Sequence, residues 1–430
     1  MKTEQLYSFF RESAGISTDS RTVKKGEMFF ALWGVNFNGN MYAADALKKG
    51  AICAVIDDPA YDTRGAVLVD DTLLELQALA SFHRKGLKAP VLAITGTNGK
   101  TTTKELIASI MSIKKKVHYT KGNLNNHIGV PLTILSEPHD ADLLVLEMGA
   151  NHIGEIRTLC LIAKPDYGII TNIGSAHLEG FGSFEGVVRA KTELYDHLKK
   201  NNGIAIYNDH DPLLAEKIFK MVNRAVPYSD PLGTELVVEP LTCDLTLSVR
   251  IRYQHKSYDV ATRLFGRHNT ENIKAAAAAS LFLGADIGDI ISAVADYTPS
   301  NNRSQVKKTP SNVLICDSYN ANPDSMKKAI EAFADTVTGR KMIILGEMLE
   351  LGQRSEAEHS GILKQLESSG IKDVLLVGRI FESLTGKQAY RIFGTAGELG
   401  DYLKANPVKG FTILVKGSHG VSLEKIYNLL

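Results

Sequence analysis

The chain reads as an α/β protein of three domains, and three observations lead there. Short apolar runs alternate with helical stretches along most of its length. A glycine loop joins one such run directly to a helix, and two polar or proline-bearing breaks divide the alternation. At 430 residues the chain also exceeds what a single hydrophobic core organises. The breaks at Lys88-Ala89-Pro90 and Ser300-Asn301-Asn302 set domains over 1–88, 89–300 and 301–430.

In the first segment, Met28–Leu32, Ile52–Ile56 and Ala66–Val69 have strand character and Leu73–Leu87 the period of a helix. The second opens with the strand Val91–Thr95, the glycine loop and a helix with Leu106, Ile107, Ile110 and Met111 on one face. Leu143–Leu146 and Gly168–Ile173 add short apolar strands, which predicts a largely parallel sheet covered by helices. Leu245–Tyr253 and Ser257–Phe265 flank a polar turn as two paired strands, and an alanine-rich helix from Asn269 to Leu283 closes on Gly284. In the third segment, Val313–Cys316, Met342–Leu345, Val374–Val377 and Thr412–Val415 alternate with helices, the pattern of a small doubly wound, Rossmann-like domain.

Composition narrows the function. Lys and Arg number 49 against 48 Asp and Glu, a formal charge of +1, so no broad field favours nucleic acid or an anionic membrane. Cys53, Cys160, Cys243 and Cys316 lie far apart with no C-x-x-C pair. That argues against a disulfide framework or zinc site and suits a reducing cytosol. The opening MKTEQLYSFFRESAG reads as an amphipathic helix without the apolar core of a signal peptide. No apolar run approaches the roughly 18 residues that span a bilayer. A cytoplasmic, soluble protein is expected.

The strongest chemical signal is Thr95-Gly96-Thr97-Asn98-Gly99-Lys100-Thr101-Thr102-Thr103, set between a strand and a helix. Glycines let successive N–H groups turn inward, and the helix N-terminus adds the positive end of its dipole. Lys100 reaches outer phosphates and the Thr101 hydroxyl meets Mg²⁺, so the segment predicts ATP binding. Its G-x-x-G-K-T spacing is two residues shorter than the common phosphate loop.

Other candidates carry two readings each. Glu147 ends the strand Leu143–Leu146, which places its carboxylate either on the surface or where ligands meet an open sheet and Mg²⁺ wants oxygen. His177, after a strand and glycine turn, is either structural or a ligand. Lys191 falls inside the stripe Phe184, Val187, Val188, Leu194, Tyr195 and Leu198, so it either snorkels at the edge or is buried with a lowered pKa. A neutral amine there can take up carbon dioxide and become an oxygen ligand. Asn123, Asn125 and Asn126 form turns or line a polar cleft. Asn269 is a natural N-cap, and Asn272 lies free of capping duty. In Asp317-Ser318-Tyr319-Asn320-Ala321-Asn322-Pro323, the Asn322–Pro323 pair suits a helix start, which leaves Asp317, Tyr319 and Asn320 at a strand end.

Together these motifs resemble the Mur ligase family over essentially the whole chain. The family combines G-T-[NS]-G-K-T-T, a strand-end Glu, T-N-I-G-x-A-H, a carbamylated lysine and an H-N-x-x-N helix start. Here these stand at Gly96–Thr102, Glu147, Thr171–His177, Lys191 and His268–Asn272. The tracts at 122–133, 317–323 and 345–352 look like those of the dipeptide-adding branch, and Thr18-Asp19-Ser20-Arg21 resembles its uridine-nucleotide-binding domain. Two positions depart from the pattern: Asn40 stands where His is frequent, and His419 where Arg is frequent.

The resemblance implies an N-terminal uridine-nucleotide-binding domain, a central ATPase domain and a closing C-terminal domain. It implies ATP-dependent ligation of D-alanyl-D-alanine to UDP-N-acetylmuramoyl-tripeptide by a monomer in cytoplasmic peptidoglycan synthesis, with an acyl-phosphate intermediate. Gly96, Thr97, Asn98, Gly99, Lys100, Thr101, Thr102, Asn269, Asn272, Arg303 and Asp317 would then bind ATP. Ser20, Arg21, Asn123, Asn125, Asn126, Tyr319, Asn320 and Asn322 would bind the other substrates. Thr101 and Glu147 would hold one Mg²⁺, and His177 with carbamylated Lys191 a second; Lys100, Glu147, His177 and Lys191 would be catalytic. Two alternatives remain open at this stage: another amino-acid ligase of the family, or an ATP-hydrolysing conformational switch.

Overall fold

Strands buried on both faces form parallel sheets in all three segments, as their uninterrupted apolar runs require. The computed structural model describes residues 3–175, 178–336, 338–385 and 390–430. The N-terminal sheet has four parallel strands, Ile16–Ser17, Met28–Phe30, Cys53–Ile56 and Ala66–Leu68, in that order. The central sheet has six, ordered Ala225–Pro227, Ile204–Tyr207, Tyr167–Ile170, Val91–Thr95, Leu143–Glu147, Val117–Tyr119, again all parallel. The chain leaves Val91–Thr95 towards one side of the sheet and later crosses to Tyr167–Ile170 on the other. The crevice this opens lies at the carboxyl ends of the strands, over the glycine loop, Glu147 and Thr171.

The C-terminal sheet is ordered Gln305–Lys308, Val313–Asp317, Thr412–Lys416, Lys341–Gly346, Asp373–Val377, Arg391–Phe393, with only Gln305–Lys308 antiparallel to its neighbour. Beside the central sheet stands an antiparallel one, Leu236–Cys243, Leu247–Tyr253 and Lys256–Ala261. The pair expected from sequence is present with shorter bounds; Leu236–Cys243 is an additional strand.

The alanine-rich helix Asn269–Phe282 lies between this small sheet and the helix Lys100–Met111. Ala275 to Ala279 are all buried, and their small side chains let the neighbouring elements approach from every side. One sequence expectation is corrected here. His268 already has helical φ −59° and ψ −21°, so Asn269 sits inside the helix and does not cap it. Its amide instead donates to the Phe265 carbonyl at 2.7 Å and accepts from Asn272 at 2.8 Å.

The helices Thr3–Glu12 and Thr72–Gly86 pack against the central domain. A single apolar cluster runs from Leu6, Phe10 and Met28 through Leu76 and Leu79 to Val130, Ile134, Ile156 and Leu159. The C-terminal sheet has separate cores on its two faces, and Phe265 joins one of them from the central domain. The four cysteines are buried free thiols. Among the described residues, no helix is long and apolar enough to cross a membrane.

Candidate active site

The glycine loop is dictated by two positions where no side chain fits. Gly96 has φ +139°, and a Cβ there would lie 2.0 Å from Thr171 Oγ1; Gly99 has φ +81°, and its Cβ would lie 2.1 Å from Asn272 Oδ1. The loop is braced from the next strand: Thr97 N–H donates to the Asn172 carbonyl at 2.9 Å and Asn98 N–H to Asn172 Oδ1 at 3.0 Å. Lys100 folds back on the loop, donating to the carbonyls of Gly96 at 2.7 Å and Thr97 at 3.0 Å. Burial, reinforced by Arg303, draws its pKa down to about 8 against the opposing pull of Glu147.

Glu147 is 1% exposed at the end of its strand, and both carboxylate oxygens are engaged. Asn125 donates to Oε1 at 2.8 Å and the Thr101 hydroxyl to Oε2 at 2.9 Å. Burial alone would raise its pKa. Lys104, Arg303 and Lys100 outweigh that and hold it below the ordinary value, so the group is an anion. A buried carboxylate beside a threonine hydroxyl is a hard-oxygen donor pair, which fits Mg²⁺.

Sequence reasoning did not single out Lys104. Its ammonium is wholly buried, 3.4 Å from Glu147 Oε2 and 3.9 Å from Glu105 Oε1. Lys191 is 3% exposed, with its ammonium 5.5 Å from the centre of the Phe181 ring. Burial, with Lys100 nearby, draws its pKa down to about 7. His177 lies outside the described residues.

The facing wall comes from the third domain. Asp317, at the end of its strand, accepts from Ser304 N–H at 2.9 Å and from the Lys416 ammonium at 2.6 Å. Lys416 ends the adjacent strand and is a second residue that sequence reasoning passed over, although its strand-end position obeys the rule that found Glu147. The Arg303 guanidinium stacks 3.7 Å from the Tyr319 ring centre, and the His419 ring meets Tyr319 edge-on at 5.8 Å between centres. Asn322 accepts from Ser325 N–H at 2.9 Å, capping the helix Pro323–Thr336, and donates to Asn98 Oδ1 at 2.8 Å across the domain junction.

These groups surround one cleft of about 1240 Å³. It brings together Gly96–Lys100, Thr102, Asn123, Asn125, Asn126, Glu147, Lys191, Asn269, Asn272, Arg303, Asp317, Tyr319, Asn320 and Asn322. Thr101 stands behind it, buried against Glu147. Asn126 is also a structural residue, accepting from Ile128 and Gly129 N–H at the start of the helix Gly129–Leu135.

Ser20 and Arg21 do not line this cleft; they belong to the N-terminal domain, where Arg21 pairs with Asp19 at 2.7 Å. Asn40, one departure from the family pattern, is 1% exposed and tied to the residue that follows the strand Cys53–Ile56. It donates to Asp57 Oδ1 at 2.8 Å and accepts from Asp57 N–H at 3.0 Å.

A nucleotide loop, a strand-end carboxylate and a second domain facing them define an ATP-using ligase architecture, and comparison with known proteins agrees. The Mur ligase catalytic domain matches residues 12–81, the Mur ligase middle domain 94–280, and the Mur ligase glutamate ligase domain 302–419. The chain belongs to the Mur ligase family.

More narrowly, it is similar to the UDP-N-acetylmuramoyl-tripeptide–D-alanyl-D-alanine ligases of Bacillus subtilis strain 168 and Escherichia coli K12. Each is 34% identical; the alignments cover 96% of this chain and 92% and 93% of those chains. A crystal structure of MurF from Acinetobacter baumannii superposes with a TM-score of 0.86 at 30% identity, covering 99% of this chain and 98% of that one. A MurF ligase from Thermotoga maritima in complex with ADP gives 0.84 at 27% identity, covering 98% and 97%.

Proposed function

We propose that this chain joins D-alanyl-D-alanine to UDP-N-acetylmuramoyl-tripeptide with cleavage of ATP to ADP and phosphate, in the cytoplasm and as a monomer. The observation that carries the reading is the shared cleft. Lys100, Glu147 and Lys191 of the central domain face Arg303 and Asp317 of the third, in a chain related to such ligases over 96% of its length.

The γ-phosphoryl group passes to the terminal carboxylate of the tripeptide, forming an acyl phosphate and releasing ADP. The dipeptide amine attacks the carbonyl carbon, loses a proton, and phosphate leaves as the amide bond forms. A free carboxylate is a poor electrophile; phosphorylation supplies the leaving group. Lys100 exchanges its two loop carbonyls for phosphate oxygens, and Arg303 meets them from the opposite wall, stabilising charge on the transferring group. Asn269 and Asn272 brace the loop through Gly99 and face the adenine. Burial between two domains excludes water from the acyl phosphate.

Thr101 and Glu147 would hold one Mg²⁺ and carbamylated Lys191 with His177 a second; the metal would neutralise phosphate charge. With its pKa drawn down to about 7 by burial, Lys191 has a substantial neutral fraction near neutral pH, as uptake of carbon dioxide with loss of one proton requires. Lys191→Ala should lose activity and regain part of it with added short carboxylates; near-normal activity without rescue refutes the carbamate.

The reaction itself is tested by phosphate release from ATP with UDP-muramyl-tripeptide, with and without D-alanyl-D-alanine, and mass analysis of the product. Release that needs both substrates and yields the pentapeptide supports the reading. Equal release without the dipeptide overturns it. Competition with meso-diaminopimelate, L-lysine and glutamate separates it from other ligases of the family.

A further inference from the structure

Away from the cleft, His83, Glu137 and His139 converge where the N-terminal part of the chain packs on the central domain. One ligand atom from each lies within 4.8 Å of the others. His83 belongs to the helix Thr72–Gly86 and is wholly buried, while Glu137 and His139 sit in the connection between the helix Gly129–Leu135 and the strand Leu143–Glu147. The grouping is not visible in the sequence, because 53 residues lie between His83 and Glu137.

Each member is prepared for a ligand. His83 Nδ1 is bonded to the Tyr7 hydroxyl at 3.1 Å, which leaves Nε2; that nitrogen is buried with no hydrogen-bond partner. A ring held through one nitrogen and bare at the other is the arrangement that orients a metal-binding histidine. Glu137 is 4% exposed and accepts from the N–H groups of His139 at 2.8 Å and Ala141 at 2.9 Å, with lone pairs left on both oxygens. The His139 ring stands edge-on to His83, 4.6 Å between centres, on a backbone held at φ +63°. Its outer side is exposed.

We propose that His83, Glu137 and His139 bind a divalent transition cation of the zinc class, with the fourth position open to solvent. Two imidazole nitrogens and a carboxylate oxygen suit Zn²⁺ in tetrahedral coordination, whereas Mg²⁺ prefers oxygen alone. The ion clamps the Thr72–Gly86 helix to the segment that leads into the strand ending at Glu147. That strand, about 13 Å from Leu143 to Glu147, runs between the two sites, with Glu147 at its far end and His139 four residues before its start.

The test uses the untagged full chain, stripped with a chelator and titrated with Zn²⁺ in saturating Mg²⁺, with Co²⁺ as a spectroscopic probe. One equivalent of zinc should remain bound, raise the melting temperature, and be replaceable by Co²⁺ with the visible absorption of a tetrahedral site. His139→Asn, at an exposed position, and Glu137→Gln should each fold yet weaken binding at least tenfold and abolish the thermal shift. No stoichiometric zinc in the unmutated chain, or zinc retained with unchanged affinity by His139→Asn, overturns the proposal.

Discussion

Replacing Lys104 by methionine removes a wholly buried cation from the back of the carboxylate on which the cleft is built. The ammonium lies 3.4 Å from Glu147 Oε2, which at an effective dielectric of about 20 corresponds to an attraction of about 5 kcal/mol. Burying the ammonium costs several kcal/mol, which the variant recovers, and methionine keeps most of the packing. Glu147 retains its hydrogen bonds from Thr101 and Asn125. Breaking one side of such a pair therefore leaves a net destabilisation of about 3 kcal/mol. Urea unfolding of the full chain without Mg²⁺ or nucleotide measures it, in a cycle with Glu147→Gln and the double variant. The double variant should recover at least about 1 kcal/mol of the summed losses. Coupling below about 0.5 kcal/mol would mean the two groups act independently and would refute the reasoning.

Three further perturbations follow from contacts already described. Gly99→Ala must hold alanine at φ +81° with its methyl 2.1 Å from Asn272 Oδ1; stability should fall by about 1–3 kcal/mol and calorimetric ATP affinity at least tenfold, and unchanged affinity would contradict the role given to the loop. Asn322→Ala loses both a helix cap and the amide bond to Asn98, about 1–2 kcal/mol in thermal unfolding, whereas Asn322→Asp keeps the cap and should lose the smaller part. Burial holds His268 down to about 4, so between pH 6.5 and 4 the unfolded chain binds the proton that the folded chain refuses. Stability from this group is complete above pH 6.5 and falls as the pH drops towards 4, by roughly 2 kcal/mol after allowance for its partial exposure. His268→Gln should flatten that slope in pH-dependent unfolding, and an unchanged slope would count against it.

What was legible in the sequence was whatever local pattern controls. Val91–Thr95 was bounded correctly because an apolar run meets a glycine there, and the loop after it needed only its own residues to be recognised. Lys191 sits at its expected place on an inward stripe because helical period fixes direction. Lys104 escaped notice in the polar run Lys100–Glu105, since its burial is imposed from outside by packing of the alanine-rich helix on Lys100–Met111. Leu236–Cys243 was missed because it contains Pro240, which argues against a regular strand. It is accommodated by a shift in register between Pro240 and Thr242. Asn269 looked like a cap because its residue type suits one; the preceding glycine turn starts the helix a residue early.

The uneven sharing of apolar cores decides how this polypeptide can be taken apart. A cut after residue 88 would divide the cluster that holds Leu76 and Leu79 against Val130 and Ile156, leaving sticky faces on both fragments. A cut near residue 300 would cross mainly hydrogen bonds such as Asn98–Asn322, with Phe265 as the principal greasy loss. Engineers wishing to isolate pieces for labelling, or to swap the C-terminal domain between relatives, should therefore choose the second junction and treat everything before it as one foldable block.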